Sequence, residues 1–322
     1  MHTQKLPLND GHIILVYEWH IEHPKALVHI NHGMAEHALR YAEFAQFLNS
    51  RGFSVIAHNH RGHGPQSTDG LSGHYADQDG WQKVLTDLHY VRNHCNPANA
   101  PYVLFGHSMG SFIAQAYALN YPASDAFILS GSNWQPAFIY KAGAFIAKFE
   151  KWRKGPRSSS ALLNALSFGS FNNAFKPART DFDWLSADTN QVDKYINDPL
   201  CGFDCSTQLW IDLLTGLSDI SYPRAFEKLA GPLPIYLFAG ELDPVGRNAK
   251  GMHALHKQLQ HSGHENITLQ LYKSGRHEML NEVNKREVMV NIADWLDLQF
   301  AGQVSAIPLH GVQHGCVSEY HL

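Results

Sequence analysis

Cysteine is scarce in this chain: Cys95, Cys201, Cys205 and Cys316 are the four in 322 residues. That is too few for the disulfide framework of a small secreted domain. Cys201 and Cys205 are spaced to share a helix face, but two thiols with no second Cys or His pair beside them make a poor zinc site. No H-E-x-x-H occurs either, and no metal or other cofactor is expected. The sequence also lacks the run of about 18 apolar residues that a membrane-spanning helix needs. Its first ten residues have no basic start followed by an apolar run, so no signal peptide is visible and cytoplasmic residence is the expectation. Basic charge is not in excess, with 25 Lys and Arg against 29 Asp and Glu and a pI near 6.6. Nucleic acid, whose binding needs a basic surface, is not an expected partner.

What the chain does have is a strand-helix alternation. Apolar runs read as strands at about 12–19, 26–31, 53–58, 101–106, 126–131, 234–239 and 267–272, with helical patterns between most of them. This pattern predicts an α/β fold, a mainly parallel sheet with helices on both faces, whose ligands bind beyond the carboxyl ends of the strands. Gly106-His107-Ser108-Met109-Gly110 falls between the strand at 101–106 and a helix over 111–120. A serine hydroxyl is a weak nucleophile in water, so catalysis needs a sharp turn that projects Oγ toward a base. Flanking glycines leave room for that turn, and the stretch reads as a nucleophile elbow.

If Ser108 is the nucleophile, an acid and then a histidine should follow later strands. Asp243 stands in the polar loop after 234–239 and is the expected acid, with Glu241 as the alternative in the same loop. His277 follows the last strand, after Gly275, and precedes an amphipathic helix over 281–300. Those features single it out among 22 histidines as general base and acid. His107 and His32 are expected to make structural hydrogen bonds. An oxyanion hole needs two backbone N–H groups; Met109, after the nucleophile, and Met34, in the loop after an early strand, are the candidates.

Between Ser132 and Tyr222 the rhythm fails, and aromatic-rich helical and loop patterns predict a cap over the site. The expected division is a core over 1–132, a cap over 133–222, the rest of the core over 223–300 and a tail over 301–322 without assigned function. Within the cap, Phe138, Ala142, Phe145, Phe149 and Trp152 recur at helical spacing beside Lys141, Lys148, Lys151, Arg153, Lys154 and Arg157. An apolar stripe with basic flanks is suited to peripheral contact with anionic lipid. The favoured reading is instead that the stripe covers the active site and, from Trp134 to Trp152, roofs an acyl pocket.

His32-Gly33-Met34-Ala35-Glu36-His37 with Arg40-Tyr41, Arg61-Gly62-His63-Gly64, the elbow, and His277-Glu278-Met279-Leu280-Asn281-Glu282 together resemble the monoacylglycerol lipase and lysophospholipase group of α/β-hydrolases. Tyr195 to Leu200 is similar to a short motif of that group's cap. The resemblance covers about residues 10 to 300. It implies an α/β-hydrolase fold with a helical cap and a serine carboxylic-ester hydrolase acting on monoacyl lipids or small esters. Glu36 and Arg40 match polar residues at the leaving-alcohol end, where they would bind substrate; as an i, i+4 pair they are also placed to bridge each other on the surface. Three positions depart from the group's pattern: Asn59 for an Asp, Ser111 for a Gly, and Leu280 for the second histidine of the mammalian enzymes. Two other readings stand beside esterase: an aminopeptidase of related fold, gripping a free amine with cap carboxylates such as Asp181, Asp183 or Asp188, and a non-catalytic binding protein.

Overall fold

A computed structural model describes residues 1–65, 71–96, 100–122, 124–229 and 232–301. All seven expected strands form, and an eighth precedes them. They are β1 (His2–Pro7), β2 (Ile13–Trp19), β3 (Leu27–Asn31), β4 (Ser54–His58), β5 (Tyr102–His107), β6 (Ala126–Ser130), β7 (Ile235–Gly240) and β8 (Ile267–Tyr272). Their order across the sheet is β1-β2-β4-β3-β5-β6-β7-β8. The pairs β1–β2 and β2–β4 are antiparallel and the rest parallel. β1 escaped the sequence pattern because it is an edge strand with only Leu6 buried, so its side chains carry no apolar alternation.

Ten helices surround the sheet among the described residues: α1 (Ala42–Ser50), α2 (Gly80–Cys95), α3 (Met109–Asn120), α4 (Ala137–Lys154), α5 (Ala161–Leu166), α6 (Phe168–Phe171), α7 (Thr189–Asn197), α8 (Thr207–Ile220), α9 (Lys250–His261) and α10 (Lys285–Gln299). Strands buried on both faces read as nearly continuous apolar runs, and alternate residues serve opposite layers. Val103 and Phe105 join α1 and α10 through Phe44, Leu48, Ile292 and Leu296. Tyr102 and Leu104 join α2, α3 and α9 through Leu88, Ile113 and Leu255.

The segment from β6 to β7 holds α4 to α8. Here the structure corrects one expectation. The stripe Phe138, Ala142, Phe145, Phe149 and Trp152 faces outward rather than over the site. The opposite face, with Tyr140, Ala144 and Ala147, is buried, and Gly143 lies against Leu214 of α8. Small side chains let two helices approach closely, so the small face packs and the large aromatics are left outside. Cys201 and Cys205 lie in the loop before α8, not on a helix. The proposed tail falls almost wholly outside the described residues.

Histidines run through the core. His29 of β3 joins Tyr102 at 2.6 Å and His58 of β4 at 2.8 Å through its two ring nitrogens. The rings of His58, His60, His32 and His63 follow at 4.4 to 5.2 Å. Burial pushes His58 down to about 3 and His12, His63 and His107 to about 4, with Arg61 adding to the effect at His12 and His277 at His107. His29, His32 and His60 also lie well below the ordinary value, chiefly through burial. Each folds neutral, whereas the unfolded chain takes up its proton near pH 6.5. Their stabilisation is therefore complete above about pH 6.5 and is lost as pH falls toward 4, at about 1.4 kcal/mol per pH unit for each. Asp87 and Asp212, raised to about 6 by burial, act in the opposite sense but are fewer. With about 5–15 kcal/mol holding an ordinary domain, cooperative unfolding is expected between about pH 6 and 4, followed by far-ultraviolet circular dichroism. A native spectrum at pH 4 would contradict it.

Candidate active site

β5 ends in Gly106 and His107, and Ser108 takes φ 51° and ψ −123°, a conformation L-residues rarely adopt. Both glycines are required. A Cβ on Gly106 would lie 2.5 Å from the Gly110 carbonyl oxygen, and one on Gly110 would lie 2.1 Å from that of Asn31. The turn is held through backbone groups: Ser108 N–H donates to the Ser130 carbonyl at 2.9 Å, and the Ser108 carbonyl accepts from Ser111 N–H and from Ser111 Oγ. Ser111 thus uses its hydroxyl to close the elbow. Met109 opens α3, and N–H groups at a helix start have no intrahelical partner and favour negative charge.

The loop after β3 reaches the same place. A Cβ on Gly33 would stand 3.2 Å from Ser108 Cβ, and Met34 comes next. Glu36 braces this loop. Its Oε1 accepts from Gly33 N–H at 2.5 Å and from the Tyr41 hydroxyl at 2.9 Å, and its Oε2 accepts from Arg40. Arg40 also forks onto Glu278 at 2.7 and 2.6 Å. Glu36 and Arg40 therefore do bridge each other, but inside the protein, with Glu36 only 2% exposed. Burial opposes charge on both; the Arg40 guanidinium nonetheless holds Glu36 low, and Glu278 with Glu36 holds Arg40 well above its ordinary value. Sequence reasoning did not find the Glu278 partnership, since nothing local connects residues so far apart.

The inserted segment grips the same loop. Arg40 lies 4.9 Å from the Tyr195 ring, and the Ala35 carbonyl accepts from the Tyr195 hydroxyl at 2.8 Å and from Gly202 N–H at 2.9 Å. His37 donates to Asp198 at 2.8 Å. The motif from Tyr195 to Leu200 is thus a brace for the β3 loop.

Asp243 is fully buried, and its Oδ1 accepts from His277 Nδ1 and from Val245 N–H, both at 2.9 Å. Glu241 in the same loop is exposed. A Cβ on Gly131, just after β6, would meet the His277 ring at 2.9 Å and the His107 ring at 3.2 Å, and those two rings lie 4.8 Å apart, which sets the imidazole beside the residue before Ser108. Burial alone would depress His277; the Asp243 charge and hydrogen bond, with Glu278 and Glu36 behind them, raise it above 6.5. Trp184 packs on the His277 ring at 5.2 Å, and Glu278 N–H donates to the Leu185 carbonyl. Trp184 is a contact that sequence gave no signal for.

The remaining predicted residues take structural places. His107 bonds Ser130 Oγ, and His32 bonds the Gly33 carbonyl and the His60 N–H. Asn59 Oδ1 accepts from Ala38 N–H. Asp183 is occupied by Arg179 and Thr180, and Asp188 caps α7. Asp181 is exposed at the edge of a cavity of about 300 Å³ whose walls include Ala35, Phe168, Phe182 and Phe203. This cavity, rather than the α4 aromatics, is the apolar space beside the β3 loop.

A mostly parallel eight-stranded sheet, an elbow after β5, and acid and histidine loops after β7 and β8 define an α/β-hydrolase. The chain belongs to the family described as Serine aminopeptidase, S33 (Hydrolase_4), whose profile matches residues 22–284. It is similar to the monoglyceride lipase of Rattus norvegicus, 29% identical over 294 residues, 86% of this chain and 84% of that protein. It is also similar to the monoacylglycerol lipase of Mycolicibacterium smegmatis, 27% identical over 274 residues, 85% and 88% of the two chains. Among solved structures, a thermostable carboxyl esterase from Bacillus coagulans, in complex with glycerol, superposes with a TM-score of 0.85 at 27% identity over 93% of this chain and 99% of that one.

Proposed function

We propose that this protein is a serine carboxylic-ester hydrolase that acts on monoacyl lipids or small esters through an acyl-enzyme. Ser108 Oγ attacks the acyl carbon, and His277 takes its proton and returns it to the leaving alcohol. Asp243 orients and stabilises the imidazolium, and the Met34 and Met109 N–H groups receive the oxyanion. The observation that carries the reading is the buried Asp243–His277 bond at 2.9 Å beside a serine in an elbow conformation. The lipase and esterase names of its relatives support the substrate class. Glu36 and Arg40 act as positioning residues for the oxyanion loop, since their polar atoms bond protein groups. Residues 133–222 serve as the cap.

A cavity of about 300 Å³ encloses one short to medium acyl chain more readily than three. The expected order of kcat/KM is monoacyl esters above triacylglycerols, with a chain-length optimum and no effect of EDTA on the rate. Faster turnover of an aminoacyl-naphthylamide than of p-nitrophenyl esters would select the aminopeptidase reading instead, which the engagement of Asp183 and Asp188 disfavours.

Among the described residues no helix is long and apolar enough to cross a membrane. The outward face of α4 is suited to lie on one. Phe138, Phe145 and Trp152 are 70%, 75% and 80% exposed, and Lys141, Lys148, Arg153 and Lys154 flank them. Sedimentation with vesicles containing phosphatidylserine is expected and should be lost in the double variant Phe145→Ser, Trp152→Ser. Equal sedimentation of the variant would reject this contact.

A further inference from the structure

We propose that His37, Asp198 and Cys201 form a divalent-metal site of the kind that takes zinc, joining the loop after β3 to the inserted segment. One donor atom from each of the three side chains lies within 4.8 Å of the others. A nitrogen, a carboxylate oxygen and a sulfur, with solvent as fourth ligand, suit a borderline-soft cation with tetrahedral preference. Bond lengths of about 2.0–2.3 Å set ligand edges near 3.5 Å, so the donors close on an ion by shifts of about 1 Å. The His37–Asp198 hydrogen bond at 2.8 Å already spans one edge. On binding, His37 carries its ring proton on Nδ1 so that Nε2 ligates the ion in place of its hydrogen bond to Asp198, and the Cys201 thiol releases its proton to solvent.

The surroundings favour a cation. Around Cys201 the carboxylates of Asp198, Glu36 and Glu278 outnumber Arg40, which is bonded to Glu36 and Glu278 and also acts on Asp198. Access is open as well: His37 and Asp198 line a cavity of about 900 Å³ whose other charged walls are Glu43 and Asp193 on one side of the balance and Arg40 and Lys194 on the other. In sequence, Cys201 has Asp198 three residues before it but no histidine nearby; the fold supplies His37 by laying the α7–α8 loop on the β3 loop. The ion is a clamp rather than a reactant: Tyr195 and Gly202 hold the Ala35 carbonyl without it, so its removal by EDTA lowers Tm and leaves the rate unchanged. Cys201 neighbours Gly202, whose N–H holds the Ala35 carbonyl next to Met34.

The test uses the full chain stripped of metal, titrated with zinc by calorimetry and with cobalt(II) by absorbance. One saturable equivalent of zinc is expected, with a higher Tm in its presence and a thiolate-to-cobalt charge-transfer band. Cys201→Ser should abolish that band and weaken zinc binding about tenfold or more, while Cys205→Ser retains both. Circular dichroism verifies that each variant is folded. Absence of saturable binding, or a band that survives in Cys201→Ser, overturns the proposal.

Discussion

Replacing Ser108 with alanine is expected to lower kcat for ester hydrolysis by about 10⁶-fold, the scale set by removing the nucleophile of a serine hydrolase. The residual rate would come from binding and the oxyanion hole alone. Folding should survive the change. The bonds that fix the elbow use the Ser108 N–H to Ser130 and the Ser108 carbonyl from Ser111, and alanine keeps both. Alanine meets the same positive φ that serine already tolerates, so no new strain enters. Tm should therefore stay close to that of the parent while labelling by a fluorophosphonate probe disappears. Ser111, Ser130 and Ser132 lie buried nearby and offer a built-in control. Persistent labelling at one of them, or at any other serine, would move the nucleophile away from Ser108.

Much of this site is legible in the chain because its parts obey local rules. The elbow needs glycines two residues either side of the serine, and the acid and base must follow strands that are apolar enough to be seen. Positions 234–239 and 267–272 announce β7 and β8, and the residues just beyond them are Asp243 and His277. What stayed hidden depends on contacts between distant segments. Glu278 reads as a residue next to the base, and only the fold reveals it as the partner of Arg40. Trp184 lies on His277 because the inserted segment is hydrogen-bonded to the histidine loop. The orientation of α4 is hidden for a different reason: it carries apolar residues on two faces, and periodicity cannot say which one packs. Side-chain size decides, since the face of Ala144 and Ala147 admits α8 closely and the face of Phe145 and Trp152 does not. β1 is hidden because an exposed edge strand needs no apolar alternation.

Asp243→Asn is expected to cost up to about 10⁴-fold in kcat, the loss seen when the acid of a Ser-His-Asp triad becomes an amide. In that triad the amide imposes the wrong imidazole tautomer, whereas here a second donor constrains the outcome. Val245 N–H donates to the same Oδ1 that accepts from His277 Nδ1, so the asparagine oxygen is held toward both groups and the tautomer survives. Oδ2 is buried with no hydrogen-bond partner, and the new amide N–H₂ would occupy that place unsatisfied. The loss then comes chiefly from the missing negative charge that stabilises the imidazolium in the transition state, with added instability from the buried amide. The pH profile reports the lost charge. Only neutral His277 can accept the Ser108 proton, so kcat/KM rises with pH through the His277 pKa. In the parent, Asp243 outweighs burial and raises that pKa, which puts the acid limb above pH 6.5. Without the charge, burial dominates, and the limb should move to lower pH even as the plateau collapses. An unmoved limb would instead show that the Asp243 charge does not set the His277 pKa. Glu241→Gln, at an exposed position in the same loop, should leave both plateau and limb nearly unchanged. If Glu241→Gln proves the damaging substitution and Asp243→Asn the mild one, the acid is Glu241, and the buried bond at 2.9 Å is structural.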